Sequence, residues 1–327
     1  MSVRNRVAAP VVSPLSILDI LDDPALCAGM FPVPDWAAWR AFLAALFALA
    51  MPPDALALNT QHTGRTTPPA AQFRECAIII GRRGGKSRVL ALIATFLATF
   101  RDYADFIAPG EQPTVALIAA DPRSAKIILR YIIGLLHTVP MLESLIGEQL
   151  AESVILTNGV VIEVHTGSIA SPRGRTFIAV LADEIAFWRS DGSANPDQEV
   201  IAAIKPGHAS IPNSILLLAR SPYAKRGLLW TTFRKHLGRD DARVLVWKGS
   251  AAEMNPSLDP TVIAEAYEED PASAAAEFGA EFGSDVEAVV SRETSTHAPC
   301  WALANCCRSG ALTMPASWTR PAVLRTA

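Results

Sequence analysis

The sequence predicts an α/β fold in which helices flank a mostly parallel central sheet, and three observations carry that expectation. Apolar runs of strand length alternate with helix-length patterns between about residues 71 and 250. A glycine-rich stretch, Gly81-Arg82-Arg83-Gly84-Gly85-Lys86-Ser87, separates the first apolar run from the first helical pattern. A later apolar run, residues 177–182, ends in the acidic pair Asp183-Glu184.

Taken in order, residues 1–70 form a helical N-terminal segment. Prolines stand at 10, 14, 24, 32 and 34, one amphipathic or buried helix covers 35–50, and a polar loop covers 59–69. Residues 71–250 form the α/β domain, beginning with a buried strand at 76–80 and a helix at 89–100. A second strand covers 114–119. Asp121-Pro122 then supplies an N-cap and a first-turn proline for a helix running toward His137. Runs at 154–156 and 160–164 flank Asn158-Gly159, which suits the tight turn of a hairpin. Further strands are expected at 177–182, 214–219 and 243–247. Asp259-Pro260 opens a helix reaching about residue 278, within a helical linker over 251–290, and residues 291–327 read as an irregular C-terminal tail.

Composition narrows the class. Of the 327 residues, 50% are apolar and 19% charged, a globular balance with a sizeable core. A net charge of −3 gives no overall basic field, so any nucleic-acid contact must come from local groups. Arg82/Arg83/Arg88, Arg173/Arg175, Lys225/Arg226 and Arg234/Lys235 are the candidates. The longest apolar stretch, 41–51, is too short to span a bilayer and ends at Pro52-Pro53, so no membrane is expected. The five cysteines form no C-x-x-C pair with matching histidines, which argues against zinc. Cys76 reads as inert core, and a reducing cytoplasm fits.

Strand, glycine-rich turn with Lys-Ser, then helix is the layout of a phosphate-binding loop. Gly81, Gly84 and Gly85 let backbone amides close on phosphate oxygens, while the next helix presents its positive end. Lys86 would reach the β- and γ-phosphates, and Ser87 would ligate Mg²⁺. The first glycine falls one place late, at Gly81 rather than at Ile80; the plain alternative is a glycine turn that happens to contain a lysine. Asp183 and Glu184 close an apolar strand at the edge where parallel sheets hold ligands. Asp183 would hold the Mg²⁺ shell, and Glu184 would orient or deprotonate the attacking water. An acidic turn capping the next helix is the alternative. The turn Arg220-Ser221-Pro222-Tyr223 reads equally as a γ-phosphate sensor or as a surface turn.

Together the loop at 81–87, Arg173-Gly174-Arg175 ahead of the 182–188 segment, and Ser221-Pro222-Tyr223-Ala224-Lys225-Arg226-Gly227 resemble the ATPase half of phage terminase large subunits over residues 35–290. The resemblance implies a P-loop NTPase that uses ATP and Mg²⁺ to drive double-stranded DNA into a procapsid. It implies that Lys86 and Ser87 bind Mg-ATP, that Asp183 holds the metal and that Glu184 is the catalytic carboxylate. Ser221 would belong to the coupling motif, where Arg220 replaces a usual small hydroxyl residue. Arg82 or Arg83, or an arginine from a neighbouring subunit, would stabilise transition-state charge, and Gln61 would contact adenine. The implied partners are the terminase small subunit, the portal or procapsid and further copies in a ring, in the host cell cytoplasm.

Members of that family usually continue into a nuclease domain, and residues 294–327 carry three cysteines, two tryptophans and no strand-plus-carboxylate pattern. Read from the third base of each codon, residues 314–326 permit an apolar run ending in Asp-Pro, then glycines and a second Asp. A reading-frame shift near residues 292–297 would explain both, leaving an ATPase without nuclease activity; a short natural terminus is the alternative, and the gene sequence decides. Two rival functions stand beside the motor: a non-catalytic remnant that binds nucleotide or terminase partners, and another P-loop ATPase such as a helicase.

Overall fold

Among the described residues, three helices precede the sheet. The computed structural model describes residues 15–166, 174–184, 196–222 and 225–283. In it α1 (Ile17–Asp22), α2 (Ala37–Phe47) and α3 (Pro53–Thr63) make up the N-terminal segment. A reciprocal box starts α1: the Ser16 hydroxyl accepts from the Asp19 amide, and the Asp19 carboxylate accepts from the Ser16 amide. Burial of Trp39, Phe42, Leu43 and Leu46 holds α2 in place. The polar loop expected from residue 59 begins later, because residues 59–63 form the last turn of α3. Pro53 sits at its first turn and Gly64, at φ 68°, ends it. Those start and stop signals outweigh the polar composition that suggested a loop.

Eight strands follow: β1 (Glu75–Ile80), β2 (Pro113–Ala119), β3 (Ile146–Gln149), β4 (Ser153–Leu156), β5 (Val161–Thr166), β6 (Thr176–Asp183), β7 (Ile215–Arg220) and β8 (Val244–Gly249). They form one sheet in the order β3-β4-β5-β2-β6-β7-β1-β8. From β5 to β8 every pairing is parallel, and β3 and β4 add an antiparallel edge, so the expected mostly parallel α/β sheet is present. Asn158-Gly159 joins the β4–β5 hairpin, with Gly159 at φ 85°. Edge strand β3 escapes the sequence reading because only Ile146 in it is apolar; its pairing with β4 makes it a strand.

Helices cover both faces. Along β1, Cys76, Ile78 and Ile80 face a core shared with α1, α2, α4 (Lys86–Thr99) and α5 (Pro122–Thr138). Ala77 and Ile79 face the other core, shared with α7 (Pro196–Ile204) and α8 (Gly227–His236). A strand buried on both sides reads as an unbroken apolar run, which is why β1, β6 and β7 were legible. Cys76 is fully buried, and burial pushes its thiol far up. Asp121 caps α5 by accepting from the Arg123 amide.

A short α6 (Pro140–Glu143) follows α5, and α9 (Ala251–Met254) follows β8. The single helix expected over 260–278 is two: α10 (Pro260–Glu269) and α11 (Pro271–Glu277). Pro271 forces Asp270 out of helical geometry, and the Asp270 carboxylate then caps the Ala272 and Ser273 amides. Among the described residues no helix is long and apolar enough to cross a membrane. The tail at 291–327 lies outside the described residues.

Candidate functional site

The parallel sheet brings three strand tips together. β7 lies between β1 and β6, with Ile78 level with Ala219 and Asp183 level with the same Ala219. The loop after β1, the Asp183-Glu184 pair after β6 and the turn after β7 therefore emerge side by side at the carboxyl edge.

At the loop, Gly81 lies so near the Phe278 carbonyl that a side chain there would come within 2.3 Å of that oxygen. Gly85, at φ 91°, turns the chain into α4. The first amides of α4, those of Lys86 and Ser87, have no carbonyl within the helix to bond, which leaves them directed at an incoming anion. The buried Trp39 indole donates to the Gly84 carbonyl at 2.8 Å, and the Asn255 side-chain Nδ2 donates to the Arg83 carbonyl at 2.9 Å. Arg83 takes a positive φ of 65° in the same turn.

Lys86 folds back over this loop. Its ammonium donates to the Ile80 carbonyl at 2.7 Å, the Gly81 carbonyl at 3.2 Å and the Ser221 hydroxyl at 2.9 Å. Burial lowers its pKa to about 8, with Asp183 and Glu184 pulling it up and Arg82 pushing it down. Asp183 is 8% exposed. Burial raises its carboxyl to about 6, against the attraction of Lys86 and with help from Glu184. Glu184 is exposed, at φ 51°, and its amide donates to the Ala219 carbonyl and to Asp183 Oδ1, each at 3.0 Å. That double anchor fixes the turn on which the Glu184 side chain stands.

Of the residues expected in the site, Gly81, Gly84, Gly85, Lys86, Ser87, Asp183, Glu184 and Ser221 share this edge. Arg82 lies on the loop but pairs with Glu277 at 3.2 Å. Gln61 stands apart on α3, where its side-chain amide donates to Glu253 Oε1 of α9 at 3.0 Å. Arg88 leaves the proposed basic cluster, stacking over Trp36 at 4.7 Å and donating to the Met30 carbonyl. Arg175 pairs with Glu163 of β5 at 2.8 Å. Arg173, Tyr223 and Ala224 lie outside the described residues. Sequence reasoning missed Trp39, Asn255 and Glu277, which reach the loop from distant segments; an indole that must find an acceptor was the only signal, and it names no partner.

Ser87 and Asp183 are hard oxygen donors suited to Mg²⁺, and the buried Asp183 carboxyl would be held ionised beside a dication. Among the described residues no group of three His, Cys, Asp or Glu side chains converges, so phosphate oxygens and water would complete the shell. A separate cavity of about 670 Å³ opens at the opposite sheet edge, lined by Arg65, Phe73, Arg74, Lys205 and His208 among others. Arg65 and Arg74 there bond backbone carbonyls and Lys205 bonds Glu75, so these three cations fasten the fold.

A parallel sheet with β7 between the loop strand and the acidic strand, and a Lys-Ser loop opening α4, defines the P-loop-type α/β class. Solved chains of similar fold include phage large terminases. The HK97 bacteriophage large terminase superposes with a TM-score of 0.53 at 15% identity, covering 75% of this chain and 55% of that one. The large-terminase ATPase domain of a Thermus phage, solved as a point mutant, superposes with a TM-score of 0.50 at 16% identity, covering 74% and 98%. At such identities the likeness is one of fold. The chain spans about half the length of the HK97 protein it matches. No family model and no curated protein matches the sequence.

Proposed function

We propose that this chain is an ATP-hydrolysing motor domain of a phage or prophage terminase large subunit, driving double-stranded DNA into a procapsid. The observation that carries the reading is the meeting of Lys86, Ser221 and Asp183-Glu184 at the tips of three adjacent parallel strands. Phosphates entering the loop would meet the amides that open α4 and would draw Lys86 from the Ile80 and Gly81 carbonyls. Their negative charge would raise the Lys86 pKa from about 8 and keep it a cation. Mg²⁺, held by Ser87 and Asp183, would neutralise charge on the transferred phosphoryl group. Glu184 would orient the attacking water and accept its proton. Ser221, bonded to Lys86, would sense the γ-phosphate through that contact and relay its loss to α8.

The terminase part of the reading rests on the likeness of fold and on the motifs at 81–87, 182–188 and 221–227. DNA, the small subunit, the portal and a ring of copies are the partners it implies. Arg82 is the arginine of this chain that we assign to transition-state charge, because its charge is felt at Lys86. Gln61 is assigned to the adenine on the family resemblance alone; its side chain is bonded to Glu253 of α9.

Two variants test the site by steady-state hydrolysis and nucleotide titration. Lys86→Ala should lower ATP turnover about a hundred-fold or more. Glu184→Gln should bind Mg-ATP normally yet hydrolyse it about a hundred-fold more slowly. Robust turnover in the first variant would sink the site assignment, and turnover stimulated by single-stranded nucleic acid would favour a helicase.

A further inference from the structure

The turn that ends α11 is fastened to the phosphate loop. The Arg82 amide donates to the Glu277 carbonyl at 2.5 Å, and the Arg82 guanidinium meets the Glu277 carboxylate at 3.2 Å. One residue on, the Phe278 carbonyl accepts from the Ala251 amide at 2.7 Å and packs against Gly81. Lys248 of β8 holds the same turn through Glu281 at 2.6 Å. The backbone of residues 277–281 is thus a fixed abutment for the loop, and the Glu277 side chain is a separate element attached to it.

A guanidinium presents five N–H donors in one plane, and carboxylate and phosphate oxygens fit them equally well; here the Glu277 carboxylate meets Nη2 and offsets the positive charge that a phosphate would also draw on. Arg82 lies close enough to Lys86 for its charge to act there, so it stands within electrostatic reach of any phosphate that Lys86 binds. Its partner carboxylate comes from the last residue of a helix, where the helix dipole already disfavours negative charge. Such a carboxylate contributes little to α11 and acts mainly on Arg82.

We propose that Glu277 is a positioning residue of the nucleotide site: its carboxylate competes with the nucleotide's phosphates for the Arg82 guanidinium, and so sets how tightly nucleotide binds. The inference rests on the nucleotide reading of the loop given above. Glu277→Gln keeps the side-chain volume and the backbone bond to Arg82 while removing the competing charge.

The test is calorimetric titration of the full chain with Mg-ADP, using wild type, Glu277→Gln, Arg82→Gln and the double variant. Thermal melts establish that each is folded. Glu277→Gln should bind about two- to five-fold more tightly than wild type, the range of a half-exposed ion pair, and the gain should shrink in high salt. In the Arg82→Gln background the same change should have no effect. Unchanged or weaker binding in Glu277→Gln overturns the proposal, and so does a gain that survives without Arg82. A wild-type chain that binds no nucleotide overturns the reading of the loop itself, a result distinct from the other two.

Discussion

Lys86 has three ammonium hydrogens and three acceptors, so any phosphate bound there would have to displace bonds that already exist. Trp39 supports the same loop from the opposite side. Trp39→Phe would leave the Gly84 carbonyl without its buried donor, and should cost about 1–2 kcal/mol in urea unfolding. His208 makes a pH prediction. Burial, reinforced by Arg74 and Lys205, lowers its pKa to about 4 from 6.5, and its Nε2 has no hydrogen-bond partner among the described residues. Below pH 6.5 the unfolded chain takes up a proton that the folded chain refuses. Stability should therefore fall as pH drops from 6.5 toward 4, by up to about 3 kcal/mol, and His208→Leu should flatten that slope. Melting curves across this interval check both. The placement of Lys86, Ser87 and the Asp183-Glu184 pair at strand ends was legible because each follows an apolar strand. Ser221 was legible only as an open choice, since its contact with Lys86 depends on which strand lies next to β1. Trp39, Asn255 and Glu277 were not legible at all, because tertiary packing alone brings them to the loop.

Helix ends explain most of what was read well and badly among the elements. Asp121-Pro122 and Asp259-Pro260 announce α5 and α10, since an aspartate cap and a first-turn proline act locally. Asp270-Pro271 carries the same signal inside a helical pattern, and there the pattern hid the break between α10 and α11. The Gly64 stop was likewise masked by the polar residues ahead of it. At the end of α2, Ala48 occupies a left-handed conformation, φ 53° and ψ 47°, that glycine adopts without steric cost. Ala48→Gly should therefore stabilise the protein by about 0.5–1 kcal/mol in chemical denaturation; a loss of stability would show that burial of the methyl group outweighs the strain.

For the whole molecule, the described contacts predict how truncations behave. A chain ending at Gly283 keeps Glu277, Phe278 and Glu281, and also Phe282, which packs against Trp230 and Phe233 of α8 at ring separations of 4.8 and 5.1 Å. It should retain Mg-ADP binding within about two-fold of the full chain. A chain ending at Asp270 loses Glu277, the partner of Arg82, and Phe278, whose carbonyl packs against Gly81, and titration should find its binding about ten-fold weaker, as expected for a displaced loop. The architecture was legible as alternating strands and helices, whereas strand order was not, because periodicity says nothing about which strands become neighbours. That order has a consequence for how the protein is made. The two edges of β1, the strand that precedes the Lys86 loop, are taken by β7 and β8, which begin at residues 215 and 244. At roughly 5–20 residues per second, synthesis leaves β1 without a partner for several seconds or longer after it is made. Its run Cys76-Ala77-Ile78-Ile79-Ile80 is then an unpaired apolar segment, the kind that aggregates while waiting. The most recognisable motif in the sequence is therefore among the last parts of the protein to acquire its structure on the ribosome.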